Sequence, residues 1–148
     1  MGSLEKLMNE PHGGWLVDRL VGDEQASELE AEARSLPVIN LNPFELSDLE
    51  MLAIGGFSPL DGFMSRDDYE SVLRQMRLVN GLAWTLPITL AVSADVAEGL
   101  RGKTRIALGD ATGEPLAILK VKEIFPYDRE LEAQQSFRTT DRAHPAPA

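Results

Sequence analysis

The amino-acid sequence predicts an α+β domain, with helices leading and a curled or closed sheet of strands following. Three observations carry that prediction. A chain of 148 residues is one domain's worth of polypeptide. Helix caps and apolar residues at helical spacing crowd the first half, as in Ser65 to Met76. After Asn80-Gly81 the apolar period falls towards two, and β-branched residues gather. A run of helices followed by a run of strands is the signature of segregated α+β architecture.

The elements follow in order. Residues 1–22 read as irregular, punctuated by Pro11-His12-Gly13-Gly14 and Gly22. A helix is predicted from Asp23 to about Ser35, with Glu24, Glu28, Glu30 and Glu32 as a solvated acidic face. Pro37 to Leu41 reads as a short strand ended by Asn42-Pro43. Ser47-Asp48-Leu49-Glu50 has the form of a capping box, and Gly55-Gly56 supplies a helix stop. Gly56 to Met64 reads as a compact apolar loop holding Phe57, Pro59, Leu60 and Phe63. Ser65 with Asp68 opens a further helix, in which Tyr69, Val72, Leu73 and Met76 form a stripe expected to be buried. Strands are predicted over Leu86–Val92, Thr104–Leu108 and Pro115–Phe125, the last two joined as a hairpin by the loop from Gly109 to Glu114. Asp128 to Gln135 reads as a final short helix, and residues 143–148 as a linker or frayed tail.

Composition excludes several functions. Fourteen Lys and Arg against 24 Asp and Glu give a net charge of −10, which repels nucleic acid and anionic lipid. With no cysteine, disulfides, thiolate metal sites and thiol nucleophiles are ruled out. No apolar run approaches a membrane span. Met1 to Lys6 holds no apolar signal core, so a cytoplasmic protein is expected.

Motifs with chemistry are few. His12 and His144, the two histidines, are too far apart for a close-spaced metal motif and read as structural. Gly102-Lys103-Thr104 resembles the end of a phosphate loop, but Ala97 stands where that loop needs glycine, and a strand rather than a helix is predicted to follow. Arg101, Lys103 and Arg105 alternate along one predicted strand face, and Lys120 and Lys122 do so on the next. That patch reads first as charged protection of strand edges, then as a contact with another domain or with RNA phosphates. Phe137-Arg138-Thr139-Thr140-Asp141 sets two hydroxyls between a cation and a carboxylate, suited to fixing a linker or holding an anion. No nucleophile, base and orienting group assemble from these residues. No catalytic, cofactor-binding or metal-binding residue is therefore assigned.

A series of segments, in order, resembles the N-terminal domain of the ATP sulfurylase (sulfate adenylyltransferase) family. They are Pro11-His12-Gly13-Gly14, then Leu46-Ser47-Asp48-Leu49-Glu50, then Gly55-Gly56-Phe57-Ser58-Pro59-Leu60-Asp61-Gly62-Phe63-Met64. Met76-Arg77-Leu78-Val79-Asn80-Gly81-Leu82-Ala83-Trp84 and Leu86-Pro87-Ile88-Thr89-Leu90 follow. Pro115-Leu116-Ala117, Phe137 to Asp141 and His144-Pro145 complete the series. Where the family continues with glycine, this chain has Ala146.

The resemblance implies a fold, a reaction and a division of labour. The fold is a small PUA-like β-barrel with N-terminal and peripheral helices, spanning residues 1–148 as a single domain. The family joins ATP and sulfate into adenosine 5′-phosphosulfate and pyrophosphate, the activating step of sulfate assimilation. Attack of sulfate on the α-phosphate concentrates negative charge, which calls for preorganised cations and a magnesium-bound nucleotide. The family's catalytic motifs, Gln-x-Arg-Asn-Pro and His-x-x-His, do not occur in this sequence. The implied role is a non-catalytic scaffold and interface, with Mg-ATP bound only by an absent nucleotide-binding domain. The implied partner is that catalytic domain, in the same or a separate chain, with homo-oligomerisation possible, nucleic acid disfavoured and no membrane. The alternative is a free-standing PUA-like module that binds RNA or protein, using Arg101, Lys103, Arg105, Lys120 and Lys122.

Overall fold

A computed structural model describes residues 9–138 and confirms the α+β class, with five helices and three strands among them. In chain order these are α1 (Asp23–Ala33), β1 (Val38–Asn40), α2 (Pro43–Ala53), α3 (Arg66–Gln75), α4 (Ala94–Leu100), β2 (Arg105–Gly109), β3 (Pro115–Lys120) and α5 (Arg129–Phe137). The expected tail at 143–148 lies outside the described residues. Two compact units form: Met1–Phe63 with Ile106–Leu119, and Met64–Arg105 with Lys120–Ala148.

The first unit carries the sheet, in the order β1-β2-β3. β1 pairs in parallel with β2, Val38 opposite Ala107 and Asn40 opposite Gly109. Parallel pairing demands a long crossover, here the whole stretch that holds α2, α3 and α4. The tight loop between β2 and β3 forms as expected. Asp110 Oδ1 accepts from the Thr112 amide at 2.8 Å and the Thr112 hydroxyl at 2.6 Å, an arrangement that also pulls the Asp110 carboxyl below the usual carboxylate range. β2 departs from simple alternation: Ile106, Ala107 and Leu108 are all buried, because the central strand is covered on both faces.

α2 begins earlier than the sequence signals suggested. The capping box is Asn42-Pro43-Phe44-Glu45, not Ser47 to Glu50. Asn42 Oδ1 accepts from the Phe44 and Glu45 amides at 2.9 Å each, and the Asn42 amide donates back to Glu45 Oε2 at 2.9 Å. Proline at the first helical position costs no hydrogen bond, so Asn42-Pro43 both ends the strand and starts the helix. α2 ends where expected. The Gly56 amide reaches Met51 O at 2.8 Å and the Gly55 amide reaches Leu52 O at 3.4 Å, with Gly55 at φ +81°.

In the second unit, α3 opens at Ser65, whose side chain accepts from the Asp68 amide at 3.2 Å. Tyr69 and Val72 are buried as predicted. Met76 is not: it closes the helix in the left-handed conformation, φ 54°, and is exposed. Residues 77–83 then turn back on themselves through Asn80-Gly81, with a bridge between Arg77 and Ala83.

Three further expectations are corrected here. Residues 86–92 form no strand: Pro87 has no amide hydrogen, and the Ile88 amide faces Met64 Sδ at 3.5 Å rather than a ladder carbonyl. Ser93 caps an unforeseen helix, α4, accepting from the Val96 amide at 3.3 Å. β3 stops at Lys120, short of the expected Phe125. The final helix, α5, forms where expected, and Asp128 lies just before it as its cap, accepting from the Glu130 and Leu131 amides at 3.0 and 3.1 Å.

Candidate functional site

The predicted basic strand face is rearranged by the structure. Arg101 caps the end of α4 and Lys103 precedes β2, so neither belongs to a strand, while Arg105 opens β2. Lys120 ends β3 and Lys122 lies beyond it. Three of the five cations nonetheless meet: Arg101, Lys103 and Lys122 line an open concavity of about 420 Å³ with Gly102, Glu123 and Ile124. Arg105 and Lys120 are not part of its lining.

Local chain geometry builds this concavity. The Lys103 amide donates to Leu100 O at 3.0 Å, turning the chain sharply out of α4. The Val121 amide donates to Thr104 O at 2.9 Å and brings residues 121–124 alongside. Two carboxylates offset the cations. Arg101 Nε contacts Glu98 Oε2 at 2.6 Å, and Glu123 Oε2 accepts the Arg66 amide at 3.1 Å, at the start of α3. Gly102 follows a helix and precedes a strand, the reverse of the order that a phosphate loop requires.

The apolar loop from Gly56 to Met64 does structural work in the first unit. Ser58 is buried; its hydroxyl donates to Gly55 O at 2.7 Å and accepts the Val17 amide at 2.9 Å. The following Ser58–Pro59 peptide is cis. Leu60 is buried beneath, and the Arg19 guanidinium donates to Asp61 O at 3.2 Å. The loop therefore clasps the segment around Val17 and Arg19 against the end of α2. Sequence reasoning described this loop as packing and missed the segment that it holds.

Of the remaining candidates, His12 lies in the turn closed by the Gly14 amide and Pro11 O at 2.9 Å. Arg138 caps α5 at φ 55°. Thr139, Thr140, Asp141 and His144 lie outside the described residues. Among the described residues no three His, Cys, Asp or Glu side chains are grouped to hold a metal ion, and no helix is long and apolar enough to cross a membrane.

Comparison with known proteins adds a second line of evidence. Residues 9–148 match the family described as a PUA-like domain. A sulfate adenylyltransferase from Synechococcus sp. (strain JA-3-3Ab) is 55% identical over 135 residues, covering 91% of this chain and 34% of that protein. A protein from Sorangium cellulosum described as a probable bifunctional SAT/APS kinase is 49% identical, covering 93% of this chain and 24% of its own length. A solved structure, a hexameric APS kinase from Thiobacillus denitrificans, superposes with a TM-score of 0.71 at 37% identity, covering 80% of this chain and 24% of that one. The chain thus spans a quarter to a third of the length of these relatives.

Proposed function

The chain belongs to the PUA-like domain family, and from that membership we propose that it serves as the N-terminal, non-catalytic domain of a sulfate adenylyltransferase. One observation carries the reading: 55% identity runs over 91% of this chain but accounts for only 34% of the Synechococcus enzyme. A match that complete on one side and that partial on the other is what a module of a larger enzyme gives. On this reading the chain is scaffold and interface, and the chemistry of ATP and sulfate, with its magnesium, belongs to the catalytic remainder. Assembly into a homo-oligomer fits the same reading, since the solved relative is described as hexameric, and a cytoplasmic location is part of the same proposal.

The test pairs two assays. The purified 148-residue chain is supplied with ATP, magnesium and sulfate, and a chimera in which it replaces the matched third of the Synechococcus enzyme is assayed beside it. The expected result is no turnover from the chain and turnover from the chimera. Turnover by the chain itself, or a folded but inactive chimera, overturns the proposal.

A second reading has one observation in its favour, the convergence of Arg101, Lys103 and Lys122 on a single concavity. It makes the chain a module that binds RNA phosphates. Its mark is retention of RNA that falls steeply with salt and is lost in a K103E/K122E variant. The net charge of −10 weighs against it.

A further inference from the structure

We propose that Asn80-Gly81 is a site of spontaneous covalent modification: Asn80 deamidates through a cyclic imide, and the turn from Leu78 to Leu82 is the gate. The sequence holds four asparagines, followed by Glu10, Leu41, Pro43 and Gly81. Ring closure needs the backbone nitrogen of the following residue to attack the carboxamide carbon. Pro43 has no amide hydrogen to give up, and the side chains of Glu10 and Leu41 crowd their own nitrogens. Gly81 has no side chain, and nothing lies within 4 Å of where a Cβ on it would stand. Asn80 and Gly81 are both exposed, so water reaches them.

The reaction needs only the chain and water. The Gly81 nitrogen bonds to Asn80 Cγ, the Cγ–Nδ2 bond breaks, and ammonia leaves with the proton that the Gly81 amide gave up. Water then opens the imide at either carbonyl. Addition at Cγ leaves aspartate on an unchanged main chain. Addition at the main-chain carbonyl leaves an isoaspartyl link, in which the chain runs through the side chain and is one methylene longer.

The fold both assists and restrains this step. The Leu82 amide donates to Asn80 Oδ1 at 3.0 Å. That bond keeps the carboxamide beside its own downstream backbone and stabilises the oxygen that gains negative charge as the ring closes. Against it, the Gly81 amide proton is committed to Leu78 O at 2.9 Å, and the Leu78 amide to Leu82 O at 2.9 Å. Two side chains brace the turn: Asp68 Oδ1 on α3 accepts the Val79 amide at 2.9 Å, and the Arg77 guanidinium donates to Gly81 O at 2.8 Å. Ring closure therefore waits on a local opening that frees the Gly81 N–H. The change is one-way, because the extra methylene of the isoaspartyl product lies inside the loop closed by the Leu78–Gly81 bond and spoils its geometry. Asn80 thus records how long each molecule has spent with this turn open.

The 148-residue chain is incubated in mildly alkaline buffer, folded and in urea, and the tryptic peptide from Leu78 to Arg101 is followed by mass spectrometry. Chromatography separates its aspartyl and isoaspartyl forms. Asn80 should convert before Asn9, Asn40 or Asn42, and at least about tenfold more slowly in the folded chain than in urea. Asp68→Ala removes the brace on Val79 and should speed conversion of the folded chain about tenfold, the shift in an opening equilibrium when one hydrogen bond is lost. It should leave the rate in urea unchanged and speed amide exchange at Gly81 in step. Should D68A fail to melt cooperatively, R77A removes the other brace and carries the same expectation. Equal rates in the folded chain and in urea, or a folded rate that the variants do not change, overturn the turn as gate. Conversion of another asparagine first, or none at Asn80 while the Gly81 amide exchanges, overturns the site.

Discussion

Tyr69 on α3 donates a 2.7 Å hydrogen bond from its hydroxyl to Glu132 Oε2 on α5, across 63 positions of sequence. Its ring also meets that of Phe125, with centroids 5.4 Å apart. Burial first, and then the Glu132 carboxylate, push the Tyr69 hydroxyl well above the ordinary tyrosine value.

The Tyr69–Glu132 bond sets an alkaline limit. An unfolded tyrosine ionises near pH 10, so above about that pH the unfolded chain binds fewer protons than the folded one. The stabilisation is complete below that pH and is lost as pH rises towards the folded value. Tyr69→Phe should lower stability by about 1–3 kcal/mol at neutral pH and flatten the loss above pH 10. Thermal melts of both proteins between pH 7 and 11 give the comparison.

The start of α2 is decided by two alanine substitutions. Asn42→Ala removes the acceptor of two amides and should cost about 1–2 kcal/mol. Ser47→Ala falls inside the helix and should be neutral or slightly stabilising. Urea unfolding of the two variants distinguishes them. Equal losses would return the helix start to Ser47.

Gly55 and Gly81 both take positive φ, at +81° and +92°, but in different surroundings. A Cβ on Gly55 would stand 2.7 Å from Val17 O, whereas nothing lies within 4 Å of one on Gly81. Gly81→Ala should cost only the backbone strain, about 1 kcal/mol. Gly55→Ala should cost clearly more and loosen the 15–21 segment, which amide hydrogen exchange at Val17 and Arg19 would reveal.

Asp48 is half-buried in α2, and burial followed by the nearby Glu45 raises its pKa. A raised carboxyl favours the folded state below the unfolded value of about 3.9, and that advantage is lost as pH rises through the folded value. Asp48→Asn should therefore raise the melting temperature at pH 7 and leave it nearly unchanged at pH 3. The gain should stay below about 1 kcal/mol, because the group remains partly solvated.

Elements with their signals written locally were legible. Ser65 and Asp128 each sit one residue before a helix with acids in its first turn, and both helices start where read. Asp110 to Gly113 closes the hairpin by contacts within five residues. At Asn42-Pro43 the same dipeptide both ends a strand and opens a helix, and Ser47 offered a rival pattern five residues on. α4 was missed because seven residues, among them Gly99 and the β-branched Val96, carry little periodicity; Ser93 with Asp95 was the available signal. Residues 86–92 look like a strand by composition, but strands need a partner edge that sequence does not name. The exposure of Trp15 and Leu20 was illegible for a related reason. A sequence lists apolar residues, and only the folded chain says which of them stay in water.

The pairing of Val38 with Ala107 also has a history in time. A chain made at about 5–20 residues per second carries β1 for several seconds before β2, about seventy residues later, exists to receive it. During that interval Val38 and Ile39 hang on the nascent chain without a ladder, and α2 and α3 can assemble from local contacts before the sheet does. A ribosome stalled before residue 107 would hold a half-made domain with helices and no sheet, a natural substrate for a chaperone.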